Sequence, residues 1–126
     1  MSDPHTHLGD KGEDVAARYL TSAGYRIWDR NYRFKRNEID IVCFQPDPET
    51  QAGEVVFVEV KTRSGLGYGD PAEAVDAEKK TAIRAVAQAY LYERRLEGVP
   101  SRFDVIGVVL HQDDVPDVDH HRNAFF

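Results

Sequence analysis

The chain has 126 residues, 41% of them hydrophobic and 30% charged, and its net charge at pH 7 is −6. This length suits one compact domain, and the composition excludes collagen-like and low-complexity chains. No apolar stretch approaches the roughly 20 residues that span a bilayer, and the N-terminal residues lack the basic start and apolar core of a secretion signal. Because Cys43 is the only cysteine, an internal disulfide is excluded and we expect a cytoplasmic location.

The N-terminal part of the chain predicts a short disordered segment followed by a helix. Residues 1–8 are expected to be disordered, which leaves a single domain over residues 9–126. From about Asp10 to Ala23, small and apolar residues recur at helical spacing, and Gly24 supplies the stop that is typical of a helix C-terminus.

Three strands are predicted next, with turn signals between them. The segments YRIWDRNYRF, RNEIDIVCF and EVVFVEVKTR predict an antiparallel meander, and the acidic, proline-containing QPDPETQAGE connects the second and third strands. The second strand alternates with period two, which predicts that its acids and one valine share a face: Glu38, Asp40 and Val42. The other face is predicted to carry Ile39, Ile41 and Cys43.

The rest of the chain predicts a long helix and a final strand. Asp70 and Pro71 are typical of a helix start, so we expect a helix from about Pro71 to Leu96. RFDVIGVVLH is apolar enough to be a central, buried strand. The order α-β-β-β-α-β predicts an α/β fold in which helices flank a mixed sheet.

The apolar segment VFVEVKTR carries two charges, Glu59 and Lys61, that need a partner or a ligand. Residues two apart on a strand share a face, about 7 Å from each other. Asp40, on the neighbouring strand, can lie beside them. Glu13 falls on the apolar stripe of the first helix, so it also needs a partner in the fold.

Converging carboxylates of this kind suit Mg²⁺ or Mn²⁺, which prefer oxygen ligands. Such a metal activates water and neutralises charge on a phosphate, while Lys61 could orient the water or contact the phosphate. The motif alone leaves a second interpretation open, in which Glu59 and Lys61 form a solvent-facing salt bridge and Asp40 caps a turn. Glu38 is either a further ligand or the partner of Lys35 or Arg36.

Six motifs occur in an order that resembles a known family: GED-x2-A-x2-YL, GY, NEIDIV, VFVEVKTR, YGDPAEAV and RFDVIGVV. Together they resemble the YraN-like family of small uncharacterised bacterial proteins, which is similar to archaeal Holliday-junction resolvases. The resemblance implies a restriction-endonuclease-like fold. It also implies a catalytic set of Asp40, Glu59 and Lys61, with a metal held by Glu13, Asp40 and Glu59.

Basic residues give candidate contacts to nucleic acid. Residues 26–36 hold five basic side chains against Asp29 alone, so one face can be basic although the whole chain is acidic. The candidates on this segment are Arg33, Lys35 and Arg36. The family resemblance adds Arg63, Lys79 and Arg102, although each of these could equally be a solvated surface charge.

The sequence therefore predicts a divalent-metal-dependent nuclease that acts on DNA, with branched or structured DNA as a candidate substrate. For a branched substrate, a symmetric homodimer that cuts two strands is a natural architecture. The alternative is a non-catalytic module that keeps the nuclease fold and binds nucleic acid or a protein. The acidic net charge favours this alternative, and the intact Asp40, Glu59 and Lys61 set disfavours it.

Overall fold

A computed structural model describes residues 4–50, 52–64 and 77–124, with side chains from residue 10 onward. Within these ranges the elements are α1 (Pro4–Ser22), β1 (Arg26–Phe34), β2 (Asn37–Pro46), β3 (Gly53–Ser64), α2 (Ala77–Glu93), β4 (Ser101–Leu110) and β5 (Asp117–His121). Neither helix is long and apolar enough to cross a membrane.

The five strands form one sheet in the order β1-β2-β3-β4-β5. The first three strands pair antiparallel, β3 and β4 pair parallel, and β5 adds an antiparallel edge. The predicted α/β class is confirmed, as are the meander and the central position of the RFDVIGVVLH strand. A parallel pair needs a crossover connection, and α2 lies in the one between β3 and β4.

Three element boundaries differ from the prediction. Helix α1 begins at Pro4, inside the segment that the sequence predicts to be disordered. Helix α2 ends at Glu93, and its predicted start at Pro71 lies outside the described residues. Strand β5 is not predicted, because its DVDHH sequence has one apolar residue and no alternation that would distinguish it from a loop.

The sheet is buried on both faces, each of which carries an apolar cluster with one helix. Val55 and Phe57 belong to the α2 cluster, whereas Val56 and Val58 belong to the α1 cluster. This division explains why the middle of β3 is a continuous apolar run instead of an alternating one. The charges of Glu59 and Lys61 follow this run directly.

The predicted alternation of β2 is wrong at one point. Ile39 and Val42 pack in the α2 cluster, whereas Ile41 and Cys43 pack in the α1 cluster, so the alternation slips at Asp40. In β1, Asn31 lies opposite this point and has a positive φ of 55°. The side-chain alternation of β1 shifts by one residue at Asn31, as that of β2 does at Asp40. Because the two shifts lie opposite each other, the residue pairing of β1 with β2 is the same before and after them.

Gly12 lets α1 approach the sheet more closely than any other residue would allow. A Cβ atom at this buried position would lie 1.8 Å from Oγ1 of Thr62 on β3. Real atoms do not come this close, so any side chain at position 12 would push the helix away. The close approach brings the next residue, Glu13, up to the sheet.

A buried ion network joins β3, β4 and β5. The Arg102 guanidinium donates to Asp104 at 2.9 Å, to Glu54 at 2.9 Å and to the Tyr25 hydroxyl at 2.8 Å. The Asp104 carboxylate is fully buried and also contacts Nε2 of His120 at 2.7 Å. Burial by itself raises the pKa of Asp104, but the bonds from His120, from Arg102 and from a backbone N–H outweigh it and lower that pKa below its usual value.

Gly12→Ala should destabilise the fold by about 1–3 kcal/mol, because the new methyl group overpacks the contact between α1 and β3. Urea unfolding followed by circular dichroism measures the loss. Shortening the opposing side chain tests the cause. The double variant, Gly12→Ala with Thr62→Ala, should lose less unfolding free energy than the sum of the losses in the two single variants. Additive losses would show that the close contact is not the reason.

Asp104→Asn should lower the free energy of unfolding at pH 7 by about 3 kcal/mol, because it leaves the buried Arg102 charge with Glu54 but without its fully buried anionic partner. Unfolding titrations of the wild type and the variant measure the difference.

The same pair of proteins gives a pH test. A carboxylate with a lowered pKa stabilises the fold above its unfolded-state pKa of about 4, and this contribution is lost as the pH falls through the lower folded-state pKa. The difference between the wild type and Asp104→Asn should therefore shrink below about pH 4. A difference that stays constant into strong acid would contradict the assignment.

Candidate functional site

The candidate site lies where β2 and β3 separate. Their pairing runs from Pro46 and Gly53 to Ile41 and Val58. Asp40 lies one residue beyond the last pair on β2, and the backbone N–H of Val60, two residues beyond it on β3, donates to Oδ2 of Asp40 at 2.7 Å. The Asp40 side chain therefore accepts the hydrogen bond that a strand partner would otherwise accept. The shift in the side-chain alternation of β2 turns this side chain toward the opening between β2 and β3.

Three carboxylates gather at the opening, from α1 and from the start of β2. One oxygen each of Glu13, Glu38 and Asp40 lies within 4.8 Å of the others. The Asn31 amide donates to both Glu13 and Glu38, at 3.0 Å in each case. The positive φ of Asn31 therefore belongs to the site, because the residue with this backbone conformation also supplies the amide that holds Glu13 and Glu38 together.

Two arginines border this group of acids. The Arg30 guanidinium lies 3.7 Å from Glu13 and 2.9 Å from Asp14, and Nε of Arg33 donates to Glu38 at 2.8 Å. Arg33 is 78% exposed, so much of its charge is screened by water. The more buried acids of the group are therefore only partly neutralised.

The crowding of these acids perturbs Asp40 most. Burial, followed by repulsion from Glu59, raises the pKa of Asp40 to about 7, and Glu13 and Glu38 add to the effect against the bond from Val60. Burial also raises the pKa of Glu13, although Asn31 and Arg30 oppose it. A strongly perturbed carboxylate at a break in a sheet is a common feature of functional sites.

Glu59 and two lysines form a second group beside Asp40. The ammonium of Lys79 lies 2.9 Å from Oε1 of Glu59, and that of Lys61 lies 3.6 Å from the same oxygen. Burial and the neighbouring Lys79 lower the pKa of Lys61, against the attraction of Glu59 and Asp40. The Lys61 ammonium therefore releases its proton more easily than an exposed lysine does.

The structure brings most of the predicted site together. Asp40 and Glu13 are neighbours, and Glu59 and Lys61 share a face, as the sequence predicts. Glu59 acts on Asp40 through its charge but is not part of the three-carboxylate group. Glu38 is in that group, and its cationic partner is Arg33, not Lys35 or Arg36. The sequence signal for this placement of Glu38 is its spacing of two residues from Asp40, which is typical of side chains on one face of a strand.

The predicted basic residues of the β1–β2 hairpin lie at the surface. Arg33, Lys35 and Arg36 are exposed, and Lys35 lies over the Phe34 ring, 5.3 Å from its centroid. The turn also holds Lys35 at a positive φ of 58°. All three side chains are therefore accessible from solvent, and Arg33 also donates to Glu38.

The other three predicted contacts are placed differently. Lys79 is half-exposed and bonded to Glu59, and Arg63 is half-buried on β3. Arg102 is only 11% exposed, and its guanidinium is bonded inside the protein. The predicted phosphate contact by Arg102 is therefore replaced by a structural role, because the buried Asp104 requires this cation.

The residues of both groups lie in a part of the chain that is similar to known proteins. A sequence model described as "Uncharacterised protein family UPF0102" matches residues 12–108, which include every residue of both groups. The chain belongs to this family. It is the family that the six motifs predict, so the predicted YraN-like membership is confirmed.

Several UPF0102 proteins resemble the chain over nearly its whole length. The one from Rhodococcus opacus is 46% identical over 118 residues, which cover 94% of this chain and 95% of the relative. The one from Chlorobium phaeobacteroides is 42% identical over 129 residues, with 98% and 96% covered. The one from Geobacter sulfurreducens is 45% identical over 118 residues, with 94% and 88% covered.

Asp40→Asn should stabilise the metal-free UPF0102 protein at pH 8, on the order of 1–4 kcal/mol, because it removes a charge that the fold disfavours. The amide oxygen can still accept the bond from Val60. Urea unfolding in EDTA measures the change. The matched control is the same substitution at Asp104, which should destabilise; a loss of stability in both variants would contradict the crowding at Asp40.

Proposed function

We propose that this UPF0102 protein is a divalent-metal-dependent phosphodiesterase that acts on DNA. The observation that carries the proposal is Asp40. Its half-buried carboxylate lies at a break in the sheet, and the charges of Glu13, Glu38 and Glu59 crowd it. Such an arrangement costs folding stability, so it needs a reason outside the fold.

The residues at the opening fit a hard divalent cation. They offer three carboxylate oxygens within 4.8 Å of one another, and oxygen is the ligand that Mg²⁺ and Mn²⁺ prefer. Glu13, Glu38 and Asp40 would hold the ion, so Glu38 takes the place that the sequence assigns to Glu59. When bound, such a cation lowers the pKa of water and neutralises charge on a phosphate.

Lys61 has the properties of a proton acceptor for the attacking water. Its pKa is lowered by burial and by Lys79, so that its neutral form is more accessible than in an exposed lysine. Glu59 lies 3.6 Å from the Lys61 ammonium and holds it beside Asp40. Lys79 bonds the same oxygen of Glu59 and limits the repulsion between Glu59 and Asp40.

DNA is the substrate that the basic hairpin supports. Arg33 lies at the end of β1, and Lys35 and Arg36 lie in the turn before β2, four to seven residues before Asp40 along the chain. Phosphate contacts of this kind position a nucleic acid without reading its sequence. The resemblance to junction resolvases adds branched DNA as a substrate class, for which a symmetric dimer would supply two sites.

Two observations favour a second candidate, a binding module without catalysis. Two lysines already neutralise Glu59, so this half of the site is stable without a metal. The acidic net charge of −6 also favours a protein partner over DNA.

The two candidates separate in a cleavage assay with nicked, branched, duplex and single-stranded DNA in Mg²⁺, Mn²⁺ or EDTA. The wild type should cut at least one substrate, and only with metal. Asp40→Asn should give no product, and calorimetry with Mn²⁺ should show affinity lower by about tenfold or more. Lys61→Met should lower kcat by about 10²–10⁴-fold and leave Mn²⁺ affinity nearly unchanged.

Asp113→Asn is the control, because this exposed carboxylate lies outside the site and its loss should change neither cleavage nor metal binding. DNA binding without product under every condition would contradict the nuclease and support the module. Absence of DNA binding even at low salt, where phosphate contacts are strongest, would indicate a protein partner instead.

A further inference from the structure

A groove of about 480 Å³ lies between α2 and the tip of the β1–β2 hairpin, outside the carboxylate site. Its walls include three aromatic side chains and two polar ones: Tyr32, Phe34, Tyr92, Gln88 and Glu93. Tyr92 is 73% exposed, which makes it one of the most exposed large side chains of the described residues. Contacts within the fold therefore do not explain why a large aromatic side chain occupies this position.

The aromatic walls and the hairpin charge together suit a nucleotide. Flat aromatic rings stack on any base, and a cation beside them suits the phosphate of the same strand. Phe34 and Tyr92 supply the rings, and the Lys35 ammonium lies 5.3 Å from the centre of the Phe34 ring. The Lys35 charge therefore lies beside the wall of the groove that Phe34 forms.

The polar walls suit the edge of a base. The Tyr32 hydroxyl donates to Oε2 of Glu93 at 2.5 Å, and this bond raises the pKa of Tyr32 to about 12. The tyrosine therefore stays protonated and fixes the carboxylate as an acceptor. Gln88 adds an amide on the same side of the helix, one turn before Tyr92.

The groove is close to the carboxylates along the sheet. Tyr32 pairs with Ile39, which directly precedes Asp40 on β2. Ile39 packs on the α2 face, together with Tyr32 and Phe34, whereas Asp40 turns into the opening. A nucleic-acid strand at the opening thus has the groove beside it on the α2 face.

We infer that this groove holds one unstacked nucleobase of single-stranded or extrahelical DNA. The inference rests on the proposed action on DNA and specifies its substrate: a strand with at least one base out of the duplex stack. Glu93 supplies a hydrogen-bond acceptor for the N–H donors that every unpaired base carries on its edge.

Binding without cleavage tests this inference separately from the nuclease activity. Fluorescence anisotropy at low salt, once in EDTA and once in Ca²⁺, compares a fully paired duplex, the same duplex with a two-nucleotide bulge, and a single strand. Tyr92→Ala should weaken binding of the bulged and single-stranded DNA by about 5- to 100-fold, because one stacking contact is lost. Binding of the paired duplex should not change.

Val115→Ala is the matched control, because Val115 is 76% exposed and lies in the loop before β5. It should leave all three affinities unchanged. Equal losses on all three DNA shapes, an unchanged affinity in Tyr92→Ala, or no DNA binding in either buffer would each overturn the inference. Failure of Asp40-dependent cleavage, by contrast, would leave these affinities unaffected and would contradict only the proposed activity.

Discussion

The structure depends on the point where β1 and β2 slip together, at Asn31 and Asp40. The slip turns the Asp40 carboxylate out of the strand faces and into the opening beside β3, where Val60 donates to it. On the opposite strand it places the Asn31 amide between Glu13 and Glu38. The close approach of α1 at Gly12 completes the group, because it brings Glu13 to the sheet. One irregularity shared by two strands therefore assembles acids from two elements.

Two aspartates, the buried Asp104 and the half-buried Asp40, show how the fold treats a charge. Asp104 is surrounded by Arg102, His120 and a backbone N–H, so its ionised form stabilises the fold. Asp40 has one backbone donor and is otherwise crowded by acids, so its ionised form destabilises the fold. The first environment is that of a structural ion pair. The second is relieved by a proton, a cation or another ligand, and the proposed metal site supplies the cation.

Sequence patterns predicted the class of the fold because apolar periodicity and turn residues are local signals. They also predicted that Glu59 and Lys61 are neighbours, since this follows from strand geometry alone. The slip at Asp40 was not predictable, because a positive φ at Asn31 leaves no mark on a period-two pattern. Arg102 resembled a surface cation, because its partners Glu54 and Tyr25 come from distant parts of the chain. Glu38 could have been preferred as a ligand, since its spacing of two from Asp40 was visible.

The central claim is that Asp40, Glu13 and Glu38 share one cation. A crystal structure of the wild-type protein soaked with Mn²⁺, with anomalous scattering recorded for manganese, tests it most directly. The account predicts a single strong anomalous peak within bonding distance of the Asp40 carboxylate, at the opening between β2 and β3. A peak only at exposed histidines, or no peak at Mn²⁺ concentrations that saturate carboxylate sites, would contradict it.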